Sequence, residues 1–85
     1  PENGYFLDTL GWVEFKRKNY TQAVFFLEQS ISIIPKSSEV LDHLGDCYIM
    51  LNRRNEAIFE WKKAIKYETD KNIIKNIKEK LNKYE

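Results

Sequence analysis

Eighty-five residues, 42% hydrophobic and 14% aromatic, make one small domain with enough apolar material for a packed core, which excludes a disordered chain. Fourteen Lys and Arg against thirteen Asp and Glu leave a net charge of +1, so no overall field points to nucleic acid or an anionic membrane. No apolar run approaches the ~18 residues of a membrane span, and a single cysteine, Cys47, cannot form an internal disulfide. The chain begins at Pro1 with no targeting segment in view, and reads as a piece of a longer protein.

Glycines and prolines are few, and apolar residues recur at three- and four-residue spacing, which predicts helices throughout and no strands. In the first segment Leu7, Leu10, Val13 and Glu14 share one side, and Tyr5, Asp8, Trp12 and Phe15 another. The polar stretch Arg17–Asn19 interrupts, and Asn19 is expected to cap a second helix with Gln22 reaching back to it. Ala23, Leu27, Ser30, Ile31 and Ile34 form its inward stripe, and Pro35 ends it. Ser37 is expected to cap a third helix, with Glu39 in its first turn. There Leu41, Leu44, Cys47 and Tyr48 make one stripe, and Glu39, Asp42, Asp46 and Ile49 the other. After the turn at Asn52–Asn55, a fourth helix turns Ala57, Trp61, Ala64 and Ile65 inward. Asp70 is expected to cap a fifth, with a narrow stripe of Ile74, Ile77, Leu81 and Tyr84 and an otherwise solvated surface.

Four residues of the first segment return at one offset: Leu7/Leu41, Asp8/Asp42, Leu10/Leu44 and Gly11/Gly45 are each 34 apart. Two helix pairs at this period, followed by a polar closing helix, meet the needs of a solenoid in which each pair buries its neighbour's face. The spacing of Leu7, Leu10, Gly11, Ala23, Leu27 and Pro35, and again of Leu41, Leu44, Gly45, Tyr48, Ala57 and Trp61, resembles the tetratricopeptide repeat family. The phrases LDTLGWV and LDHLGDCY are similar to C-terminal repeats of bacterial members. The implied fold is all-α: a helical-hairpin solenoid of five helices in one domain over residues 1–85. Repeat one covers about 4–37, repeat two about 38–71, and a capping helix about 72–84. Glu14 stands where the family carries an aromatic, and Thr69 where it carries proline.

No constellation of residues points to catalysis. His43, Asp46 and Cys47 could approach a metal from one helix, but Cys47 falls on the packing side and no further ligand accompanies them, so neither a metal nor a cofactor is expected. Lys62, Lys63, Lys66, Lys71, Lys75 and Lys78 form a basic region diluted by Glu60, Glu68 and Glu79, which reads as a solvated face.

The resemblance implies a non-catalytic protein–protein interaction scaffold whose first helices line a concave groove. Tyr5, Asp8, Thr9, Trp12, Phe15 and Lys16 would line it from the first repeat; Glu39, Asp42, His43, Asp46, Ile49 and Met50 from the second; Ile73, Asn76, Ile77 and Lys80 from the closing helix. One subgroup of the family grips acidic chaperone tails with lysines, asparagines and an arginine. The matching positions here hold Asp8, Trp12, His43, Ile73 and Ile77, which disfavours that ligand. The expected groove is acidic and aromatic, suited to a protein or peptide bearing Lys or Arg, with Trp12 available for cation–π contact or else packed on a neighbouring repeat. An alternative is homo-oligomerisation, through Phe6 and Val13 on the first helix or through Phe25 and Phe59 if they are exposed on the outer helices.

Overall fold

A computed structural model describes residues 1–85 and contains five α-helices and no strand. These are α1 (Glu2–Lys16), α2 (Tyr20–Ile33), α3 (Ser38–Met50), α4 (Arg54–Tyr67) and α5 (Lys71–Tyr84). Helices α1 and α2 pack as one hairpin, α3 and α4 as a second; α2 packs on α3, and α5 closes on α4. The all-α hairpin solenoid is the fold the periodicity predicts.

Local chemistry sets most helix ends. Ser37 accepts a hydrogen bond from the Val40 N–H at 3.3 Å, and Asp70 accepts from Asn72 and Ile73 N–H at 2.8 and 3.2 Å, so both expected caps form. Asn19 precedes α2 without capping it: its amide donates instead to Glu14 Oε1 at 2.9 Å, tying α1 to the turn. The two intra-hairpin turns are equivalent, each passing through a left-handed residue, Lys18 at φ 66° and Asn52 at φ 60°.

The core is one cluster built on Ala23, Leu27, Val40, Leu41, Leu44, Cys47, Ala57, Trp61, Ala64 and Ile77, all buried. The glycines of the repeated phrase make its close approaches possible. A Cβ on Gly11 would come within 2.6 and 2.7 Å of Leu27 side-chain carbons, and one on Gly45 would run into the Trp61 indole. Since the backbone at both glycines is ordinary helix, space rather than conformation requires them. Trp61 uses the room to donate its indole N–H to the Asp42 carbonyl at 3.3 Å, and Ser30 likewise donates to the Gly4 carbonyl at 2.6 Å.

The two repeats differ in one respect. Val40 and Cys47 are 0% exposed under α2, whereas their equivalents Phe6 and Val13 on α1 are 63% and 48% exposed. Leu7 and Leu10 on the same helix are half-buried, so α1 is the open end of the stack. No helix is long and apolar enough to cross a membrane.

Candidate partner-binding groove

Helices α1, α3 and α5 share one face of the molecule, and polar side chains link them across it. On α1, Asp8 accepts a hydrogen bond from His43 Nδ1 of α3 at 2.8 Å; on α5, the Lys80 ammonium donates to Asp42 Oδ1 at 2.9 Å and to both Asp46 oxygens at 2.9 and 3.2 Å. The recurring aspartates, expected to be open to a ligand, are therefore engaged within the fold. Asp8 is buried outright, a correction to its expected place on an exposed lining, because His43 gives its carboxylate a polar partner away from water. Ile77 also leaves the lining, being wholly buried in the core.

Trp12 lies against Phe15, with ring centroids 4.5 Å apart and planes 4° from parallel, and against His43 at 4.0 Å and 17°. Lys16 Nζ sits 5.2 Å from the Trp12 ring, so a cation already occupies the contact expected of a ligand. The row Phe15, Trp12, His43, Asp8 is thus a continuous bridge between α1 and α3.

Burial pushes the Asp46 carboxyl above its ordinary value, against the opposing pull of Lys80. For Lys80, burial lowers the ammonium, but the hydrogen bonds to Asp42 and Asp46 outweigh it and the net direction is upward. Glu39 is raised first by a hydrogen bond to the Asp8 carboxyl, which only its protonated form can donate, and then by burial. Glu39 is nevertheless exposed and has no cationic partner within salt-bridge distance, which makes it the open acid of this face.

Two recesses flank the bridge. Toward the helix N-termini, Tyr5, Ile34, Ser38, Glu39, Glu68 and Ile73 line an open hollow of about 670 Å³. Toward the C-termini, Phe15, Asp46, Ile49, Met50, Lys80 and Tyr84, with Trp61 and Lys83, line a narrower cleft of about 230 Å³. Each recess thus brings together some of the expected site residues, Tyr5 with Glu39 in one and Phe15 with Asp46 and Ile49 in the other.

Sequence reasoning placed Lys80 on this face but missed its pairing, and missed Trp61 as a cleft wall. The repeat offset carries the signal, since Trp12, Asp46 and Lys80 are each 34 apart, which puts opposite charges at equivalent positions of adjacent helices. Cys47 faces the core, and burial pushes its thiol up to about 12, far from a reactive thiolate.

Helical hairpins stacked at a fixed period, with every other helix contributing to a shared lined face, define a repeat-solenoid module. A family model described as tetratricopeptide repeat matches residues 6–37 and again 38–71, and the chain belongs to that family. Its repeats are generally protein–protein interaction modules, and its members are typically non-enzymatic scaffolds. A search of curated proteins finds no match.

Proposed function

We propose that this chain is a non-catalytic module that holds a peptide or partner helix along the α1–α3–α5 face, with Tyr5, Trp12, Phe15, Glu39 and Ile49 among the contacts. The observation that carries the reading is a face built on three rigid helices, braced by the Asp8–His43 and Lys80 bridges, with a recess at either side. Preorganised side chains bind without first being ordered, which lowers the entropic cost of association. Preference for a basic ligand belongs to the Tyr5–Glu39 end, where a carboxyl with no cationic partner lies beside an exposed aromatic ring. Elsewhere a ligand cation would have to displace Lys80 or Lys16. The test is to select peptides from a random displayed library and map the footprint of a binder by amide shift perturbation. Footprints on α1, α3 and α5 that weaken in Glu39→Lys are expected; footprints confined to α2 and α4 overturn the reading.

A second reading, self-association, is favoured by the exposure of Phe6 and Val13 at positions that the second repeat buries. Phe25 and Phe59 are also exposed, at 58% and 61%, although Phe25 packs edge-on to Phe26 and Lys63 covers the Phe59 ring. Light scattering across a concentration series decides: a mass that rises for the native chain and stays monomeric in Phe6→Glu establishes it, and a strict monomer removes it.

A further inference from the structure

The cleft at the last turns of α1, α3 and α5 repeats the 34-residue offset in its own walls. Phe15, Ile49 and Lys83 hold one set of equivalent positions, and Met50 and Tyr84 belong to the next. Trp61 adds its ring from α4, 5.8 Å from that of Tyr84. At about 230 Å³ the cleft is smaller than small-molecule sites of ~300–1,000 Å³, and its size matches one large apolar side chain. Met50, half exposed, supplies a flexible and polarisable wall that can adjust to such a side chain.

Charge at the rim has a definite sign. Asp46 shares the Lys80 ammonium with Asp42, while Lys83 in the cleft wall and Lys16, which lies over the Trp12 ring stacked on Phe15, have no carboxylate within salt-bridge distance and rest over the Tyr84 and Trp12 rings at 5.3 and 5.2 Å. The nearby acids Glu14 and Glu85 are held by Arg17 and Lys62. The carbonyl ends of α1 and α3 are already taken up by turn N–H groups, including those of Lys18 and Asn52. One unpaired ammonium, Lys83, thus stands in a mostly apolar wall and a second, Lys16, lies beyond the Phe15–Trp12 stack, together outweighing the single negative charge left on the Asp42–Lys80–Asp46 group.

We propose that this cleft receives the apolar side chain of an internal, acidic segment of a protein partner, with carboxylates on either side of the anchor pairing with Lys16 and Lys83. The proposal rests on the reading of this face as the binding surface and gives its C-terminal end a charge preference opposite to that of the Glu39 end. It uses side chains other than Asp8, Trp12, His43, Ile73 and Ile77, the positions that match the acidic-tail grip of one subgroup of the family.

The experiment follows the methyl resonance of Met50, the one methionine of the chain, together with the Tyr5 and Glu39 amides. Three capped probes are titrated: acetyl-Asp-Phe-Asp-amide, acetyl-Lys-Phe-Lys-amide and acetyl-Asp-Ser-Asp-amide. A saturable Met50 shift is expected with the first, about tenfold weaker with each of the others, and about tenfold weaker in Lys83→Glu at unchanged helicity by circular dichroism. Equal response to all three probes, or no saturable shift with the first, overturns the proposal. Response of Tyr5 and Glu39 to the lysine probe with Met50 silent removes the cleft while leaving the wider binding face; silence at both ends removes both.

Discussion

At Gly45 a methyl group would collide with a rigid indole, while at Gly11 it would meet the branched end of a leucine that can partly turn away. Gly45→Ala is therefore expected to cost about 3 kcal/mol and Gly11→Ala about 1–2 kcal/mol, an ordering that thermal unfolding checks directly. Glu60 offers a test of opposite sign. It is buried, and burial raises its carboxyl above the ordinary 4.5 despite Lys63 Nζ at 3.3 Å. A carboxyl raised in the folded state binds its proton more tightly there than in the unfolded chain. Its contribution to stability is thus full at low pH and declines as pH rises through the raised value. Glu60→Gln is expected to raise the melting temperature at pH 7 and to leave it unchanged at pH 4, below the unfolded value. The glycines were legible in the sequence because the phrase around them recurs. Glu60 and Asp8 were not, because a lone acid on a helix reads as surface until its burial or a partner 35 residues away is known.

Among the elements, the turn after α1 carries an avoidable strain. Lys18 sits at φ 66°, a region in which a side chain costs about 1–2 kcal/mol, and Lys18→Gly should stabilise the molecule by about 0.5–1 kcal/mol after the loss of unfolded-state restriction. Its counterpart Asn52 is well suited to the same geometry and should gain little from the same change, so denaturant unfolding of the two variants gives unequal results if the turn assignment holds. Helix α5 is held by Ile77 and Leu81 below and by the Lys80 ammonium above. Lys80→Met leaves Asp42 and Asp46 facing each other without a cation. The expected loss is about 1 kcal/mol, discounted for partial exposure, with faster amide exchange concentrated in α5. The stripe of α5 was readable from its spacing, whereas the role of Lys80 required knowing that α5 extends the row of α1 and α3.

For the molecule as a whole, stability in a stack of this kind is a sum of unit and neighbour terms, so an element covered on two sides outlasts one covered on a single side. Helix α3 packs on α2 and α4 and is bridged to α1 and α5, while α1 has only the first hairpin and that bridge. Amides of Leu41–Tyr48 are expected to exchange slowest and those of α1 and α5 faster; uniform protection across all five helices would show that the hairpins do not behave as separable units. The contrast between Phe6 and Val40 has a further consequence. A visiting helix finds purchase at one extremity of the molecule, since the other is finished by a lysine-rich outer surface. A helix added by the packing of α2 on α3 would therefore meet an apolar surface at the α1 side, which gives the stack a polarity.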